Sequence, residues 1–429
     1  MNPLRWLPAL LLSATVALIG GCGGASDDDD ATVRVINAST NYGALDLHVD
    51  DTLRSSAIAY GQTSGYIGFE AGSHTTTLTR TGSTTALSSV SRTLSSDYGT
   101  TVIAYQADGS LKTAQLSDSD SESAPSSGRA KLLVFNASPD AGSVDVYLSG
   151  SSDTLDNATL VASSVSAGSS SGSYTTVGSG TYRLRIAAAG STTDLRLDAA
   201  SMTLDSQGVY ALVVTPTSGG VLVNSLLVRQ GGAITQLDTD LARVRLVSAV
   251  ASSGTVGAAF NGSTLATSVA SPAIGSYALV KAGSATPTIS VNGASLSTAA
   301  ITLAAGSDST LLVWGPAASA SLSVIGDDNR LPASSTSAKI RLIHGASINS
   351  NPLTLTANYS AVAENIALGA ASTPTSVTAG SSTTIEVSDT TLSTALYSVS
   401  DVTLSARGVY TVFMLGSGSS VTGALRKER

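Results

Sequence analysis

The chain has 429 residues, of which 12% are charged, with 22 Lys and Arg set against 30 Asp and Glu for a formal net charge of −8. That balance offers phosphates no basic surface and argues against a nucleic-acid partner. A single cysteine excludes an intramolecular disulfide even where export would permit one, and the plentiful Gly, Ser, Thr, Ala and Val suit strands joined by tight turns.

In chain order the first element is an export leader, residues 1–21. Arg5 and the free amine precede an apolar run over residues 6–19 that is too short to span a bilayer comfortably. Leu18-Ile19-Gly20-Gly21-Cys22 resembles the lipobox of bacterial lipoproteins, which makes Cys22 the first residue of the mature chain and its acylated one; a plain secretory signal is the alternative. Two or three acyl chains, at about 0.8 kcal/mol per buried methylene, anchor a protein without a spanning helix. Residues 22–30, with four consecutive aspartates, form a charged tether. Gly23 after the cysteine resembles the pattern of lipoproteins released to the outer membrane. At the far end, residues 425–429 read as a solvated tail.

Past Ala31 the chain repeats. Openings recur at Arg34-Val35-Ile36-Asn37-Ala38-Ser39, Leu133-Val134-Phe135-Asn136-Ala137-Ser138, Arg245-Leu246-Val247-Ser248-Ala249 and Arg341-Leu342-Ile343-His344-Gly345, spaced 99, 112 and 96 residues apart. A second strand follows each, as in Leu45-Asp46-Leu47-His48-Val49, with the alternation of a half-buried strand. In three copies a tyrosine precedes a glycine by six residues, Tyr66 and Gly72, Tyr174 and Gly180, Tyr277 and Gly283, and the spacing predicts a hairpin. Late in copies two and four, Leu204 to Tyr210 and Leu404 to Tyr410 resemble the tyrosine corner of immunoglobulin-like sandwiches; Leu94 with Tyr98 is a looser version, and Ser309 replaces the tyrosine in copy three.

About seven short strands per unit and turn chemistry every 8 to 12 residues predict an all-β chain of four tandem, small antiparallel immunoglobulin-like β-sandwiches. They fall at 31–117, 130–232, 242–326 and 338–429, with linkers at 118–129, 233–241 and 327–337 where apolar periodicity lapses. The opening "VRVINAS", the strand "LDLHVDD", "IAYGQTSGYIGFEAG" and the late apolar strand together resemble the bacterial domain of unknown function 4397 family (DUF4397). That resemblance implies an extracytoplasmic β domain, often in tandem behind a lipoprotein signal, and lends no catalytic residue.

Motifs for chemistry are sparse. His48 and His74 fall in one unit without a carboxylate at ligand spacing, and His344 stands apart, so no metal site is expected. Gly168-Ser169-Ser170-Ser171-Gly172 matches the nucleophile elbow, but it lies in a Ser/Gly-rich turn of a unit lacking histidine. The run from Asp118 to Glu122 begins like a calcium loop, yet Ser123 stands where glycine is needed and Arg129 where the bidentate glutamate belongs; Asp327-Asp328-Asn329 is a second acidic linker. Five Asn-x-Ser/Thr triplets occur, at Asn37, Asn136, Asn157, Asn261 and Asn358; the first two recur at one strand end, where the side chain can close a turn. Trp314, in an apolar strand, is expected to be buried.

These residues predict a non-enzymatic, lipid-anchored envelope protein whose near-independent sandwiches form an extended arm with a structural, adhesive or protein-interaction role. No catalytic residue, metal or cofactor is expected. The alternative is a surface glycan-binding lipoprotein that uses Tyr66, Tyr174 and Tyr277 as ligand contacts. The partners so implied are a membrane, through the anchor on Cys22, and an envelope protein or polysaccharide.

Overall fold

The structure is a computed structural model that describes residues 30–96, 99–116, 122–251, 254–347, 351–389 and 395–429. Cys22, the leader, nearly all of the tether, Tyr98, Asp118 and Asp120 lie outside them. The described chain is all-β, apart from four single turns of 3-10 helix.

Among the described residues there are nine sheets: eight of four or five strands, which pack face to face as sandwiches around four cores, and one of two strands, Gly283–Ala285 with Ile301–Leu303, in the third. The opening strands Asp30–Asn37, Arg129–Asn136, Leu241–Val250 and Ser337–His344 each lie inside one sheet of their sandwich. One neighbour is antiparallel; the other is the late strand, Gly99–Ala107, Val209–Pro216, Asp308–Gly315 or Val409–Leu415, and it runs parallel. A parallel pair needs a crossover. The strands between supply it by building the facing sheet, ordered in the first copy as Thr52–Ala59, Ala44–Val49, Gly72–Arg80 and Ala86–Leu94.

Alternate residues of each opening strand serve two cores. Ala31, Val33 and Val35 face the core of their own sandwich, with Leu45, Leu47 and Leu78. Ile36 and Ala38 join a different cluster, with Ile103 and Tyr105 of the first sandwich and Leu133, Phe135, Val213 and Leu226 of the second. The pattern recurs where Val247, Ala249 and Leu312 of the third sandwich meet Ile343, Phe413 and Leu415 of the fourth. A strand buried on both faces needs a continuous apolar run, as Leu132 to Phe135 provides.

Those two clusters overturn the expectation of near-independent units on an extended arm. The sandwiches pack in pairs, and the isolated bead would expose Ile36, Phe135 or Phe413 to water.

Four smaller expectations change as well. Tyr66, Tyr174 and Tyr277 do not introduce hairpins: Ile67–Glu70 pairs with the opening strand, whereas Gly72–Arg80 pairs in the facing sheet, so the chain changes sheets at the glycine. Gly72 and Gly180 take φ of 155° and 149°, a corner that side chains rarely adopt. The segment 233–241 carries a strand, Ile234–Leu237, that extends the second sandwich. Asp327 and Asn329, placed by sequence in a linker, are buried. The second strand of copy two, Val144–Ser149, is buried at all six residues, not half-buried.

The corner reading agrees with the structure. Tyr210 Oη accepts the backbone N–H of Asp205 at 3.0 Å and Tyr410 Oη that of Ser405 at 2.8 Å. A Cβ on Gly208 would lie 2.4 Å from the Tyr210 ring, so the close approach itself requires glycine.

Candidate functional site

In a chain so poor in charge, ionic side chains within apolar strands mark where chemistry concentrates. Three of the four opening strands carry an arginine at one register position, Arg34, Arg245 and Arg341, and the parallel neighbour offers each a threonine. The Nε donates to Thr101 Oγ1 at 2.8 Å, Thr310 Oγ1 at 2.9 Å and Thr411 Oγ1 at 3.3 Å. Copy two has Leu133 there, and its neighbour is Ala211. Within one molecule, the arginine goes with a hydroxyl and the leucine with a methyl, as a buried polar group demands.

Each arginine reaches across its seam. Arg34 donates to the carbonyls of Gly232 at 3.2 Å and Arg229 at 3.3 Å in the second sandwich. Arg245 donates to Glu428 Oε2 at 2.9 Å, close to the end of the fourth, and lies 5.1 Å from the Phe413 ring centroid. Arg341 donates to the Gly326 carbonyl at 3.1 Å and pairs with Asp327, both on the third.

Asp327 is the hub. Its carboxylate, fully enclosed, accepts from Arg341, from Thr310 Oγ1 at 2.7 Å and from Tyr277 Oη at 2.6 Å, with Arg245 at 3.8 Å. Tyr277 in turn accepts Asn329 Nδ2 at 3.2 Å, and its ring has the guanidinium groups of Arg243 and Arg245 each 4.4 Å from its centroid. Burial above all, and then the Asp327 charge, pushes the Tyr277 phenol well up. Asp308, beside Asp327, takes Asn329 Nδ2 at 2.7 Å and Arg243 at 3.6 Å. Burial raises its carboxyl to about 6 in spite of Arg243.

The tail expected to be solvated is part of this site. Besides Glu428, Arg426 donates to the Ile274 and Gly275 carbonyls of the third sandwich, both at 3.3 Å, and Arg429 to the Gly220 carbonyl of the second at 2.9 Å. A run of charges looks like a solvated end until partners across the sandwich boundaries are known.

The three tyrosines named by sequence therefore separate. Tyr277 is locked in the network. Tyr66 is 37% exposed, with Arg34 4.6 Å from its ring centroid. Tyr174 is half-buried against the first seam, where it lines a cleft of about 600 Å3 with Phe135, Gln115 and Ser173.

The remaining motifs have structural places. Asn37 Nδ2 donates to the carbonyls of Tyr42 and Ile58, both at 3.0 Å, and its Oδ1 accepts the N–H of Ser39 at 3.0 Å. Asn136 repeats this with Gly142, Val165 and Ser138. Both are fully buried turn closers. His74 Nδ1 meets Asp50 at 2.6 Å and its Nε2 the Glu70 carbonyl at 2.8 Å, while the register sets His48 opposite Thr77. Among the described residues no three His, Cys, Asp or Glu side chains converge as a metal would require. Ser171 Oγ accepts the Val134 N–H at 3.1 Å and donates to the Ser173 carbonyl, which fixes the serine-rich loop. Asp328, in the second acidic stretch, is held by Arg330 and Lys339 at 2.9 and 3.1 Å. Trp314 is half-buried, donating to Ser323 Oγ at 2.9 Å.

Sequence reading missed Arg245, Asp327, Arg243, Asp308 and Glu428 as one site. The available signal was an arginine recurring inside an apolar run in three openings.

Comparison with solved structures finds slight overlaps. A Bacteroides uniformis protein named as a cell adhesion candidate overlaps at a TM-score of 0.20 with 12% identity, over 47% of this chain and 98% of its own. The family CBM26 protein CBMbc of Eubacterium rectale, solved with maltoheptaose, overlaps at 0.15 with 10% identity, over 43% and 92%. The Bacillus anthracis TIE protein overlaps at 0.13 with 9% identity, over 92% and 68%. Scores this low carry no argument about function. No curated protein matches the chain significantly. The profile of DUF4397, a domain of unknown function, matches residues 31–147 and 242–349, just over half of the sequence, and the chain belongs to that family.

Proposed function

We propose that the protein is a non-catalytic binding protein of the bacterial cell envelope, held to a membrane by lipid on Cys22, which presents packed sandwiches to a partner at the cell surface. The observation that carries this reading is the sealing of the opening-strand sheets against one another. It makes a body of joined sandwiches with polar clefts at the junctions, and junctions between domains are where ligands preferentially bind. The lipobox-like residues before Cys22 and the acidic tether support the address.

Fractionation of cells expressing wild type and Cys22→Ala tests the anchor. Wild type is expected in the membrane pellet with a lipid-modified N-terminus, and the variant in the soluble fraction; a variant that stays membrane-bound overturns it. Crosslinking on intact cells, read by mass spectrometry, then tests for a surface partner.

A second reading, glycan binding, is favoured by the cleft at the first seam, where the Tyr174 ring stands beside Gln115, Glu122 and the hydroxyls of Ser170 and Ser173. An aromatic face next to hydrogen-bonding groups suits a sugar ring. Loss of polysaccharide binding in Tyr174→Ala with the fold intact would establish it.

A further inference from the structure

A smaller cleft lies where the second, third and fourth sandwiches meet. It encloses about 250 Å3, below the roughly 300–1,000 Å3 typical of pockets for drug-sized ligands, and close to the space of one sugar ring. Three guanidinium groups line it together with the carboxylates of Asp194 and Glu428, and the hydrogen bonding is incomplete. Arg196, 8% exposed, donates to Asp194 Oδ2 at 2.7 Å and to the Val221 carbonyl at 3.4 Å, while its buried Nε has no acceptor. Arg243 approaches Asp308 only to 3.6 Å. Arg429 donates to two neutral carbonyls, those of Gly220 and Asp140. Burial, and then the nearby Arg196, brings the Arg429 guanidinium down to about 10, with the carboxylates of Asp140 and Asp308 opposing the fall. Across the cleft Glu428 gives one carboxylate oxygen to Arg245, and the other, Oε1, is buried without a donor.

A buried guanidinium N–H without an acceptor, beside two further guanidinium groups, calls for an anionic oxygen, and a lone buried acceptor calls for a hydroxyl. We propose that this cleft binds a polyhydroxylated anion, a sugar ring carrying a carboxylate, sulfate or phosphate, with its charge against Arg196 and Arg243 and a hydroxyl donated to Glu428 Oε1. A free sugar acid and one unit of an acidic polysaccharide place the same groups in the cleft. The inference deepens the envelope-binding reading by naming a ligand class. It is read on purified protein, so it can stand if the anchor on Cys22 fails, and fail while the anchor stands.

Calorimetric titration of the mature chain with sodium glucuronate, glucose, sodium sulfate and an oligomeric galacturonate tests it. Glucuronate is expected to bind, with glucose and sulfate each weaker by about tenfold or more, since each lacks one half of the recognition. Tighter binding of the oligomer than of the monomer assigns the polymer as source; equal binding assigns the free acid. Arg243→Gln should weaken glucuronate about tenfold in protein whose circular dichroism shows it still folded. Should that variant fail to fold, selenate soaked into wild-type crystals gives the second measurement, with an anomalous peak expected between Arg196 and Arg243. Equal affinity for glucuronate and glucose, sulfate as tight as glucuronate, full affinity in a folded Arg243→Gln, or no selenate peak in the cleft would each overturn the assignment.

Discussion

The seam between the first and second sandwiches and the seam between the third and fourth use equivalent strands in equivalent register, yet different forces close them. The first is broad and apolar: Ile36, Ile103, Tyr105, Leu133, Phe135, Val213, Leu226 and Val228 form one buried cluster, with the Tyr105 and Phe135 rings edge to face at 5.5 Å. The second has a smaller cluster around Val247, Leu312, Ile343 and Phe413, and beside it Arg245 and Arg341 converge from opposite sandwiches on Asp327. Leu133 in one seam occupies the position of Arg341 in the other. The comparison teaches that one strand position sets whether a seam excludes water by area or by a charge network. Apolar contact is non-directional and tolerates small shifts, whereas a buried carboxylate between two guanidinium groups permits one alignment.

The comparison can be broken most directly at the hub. Asp327→Ala leaves Arg245 and Arg341 buried around an empty place, and the third and fourth sandwiches are expected to lose about 3–5 kcal/mol in urea unfolding; a change below about 1 kcal/mol would show that the charge network does not hold that seam. Next in size is Asn136→Ala, which strands the carbonyls of Gly142 and Val165 near the first seam. It should cost about 2 kcal/mol by the same measurement, and the same change at Asn37 should cost a similar amount if the two turns are equivalent.

A pH series sharpens the contrast. The Asp308 carboxyl is raised in the folded state from 3.8 to about 6. Its ionisation therefore penalises the folded state above about pH 6, and that penalty is relieved as pH falls through 6 toward 4. The third and fourth sandwiches should gain about 1–2 kcal/mol between pH 7.5 and pH 5, and Asp308→Asn should flatten that dependence. An unchanged slope in the variant would remove Asp308 as its cause. The smallest effect belongs to Arg407, whose exposed pair with Asp108 joins the fourth sandwich to the first. Arg407→Ala should shift stability by no more than about 0.5 kcal/mol, because solvent screens such pairs.

Much of each sandwich was legible in the sequence. The repeated openings, the second strands and the tyrosine corners of Tyr210 and Tyr410 depend on local patterns, and the structure has them. Asn37 and Asn136 were legible as turn closers for the same reason, since their partners lie within about thirty residues. The sheet change at Gly72 was not, because a glycine before an alternating strand looks the same at a hairpin as at a corner between sheets. Nor was the network around Asp327: its partners Arg245, Tyr277 and Arg341 come from three strands, and sequence spacing holds no record of their convergence.

The sequence by itself determined that the chain is built of repeated strands, because alternation and turn chemistry act over a few residues. Tertiary structure alone decided that the outer faces of the opening strands seal in pairs, that Asp327 becomes a hub and that the charged tail folds back onto its neighbours. Burial and charge pairing depend on what stands opposite in space, and that is fixed only when whole sheets meet.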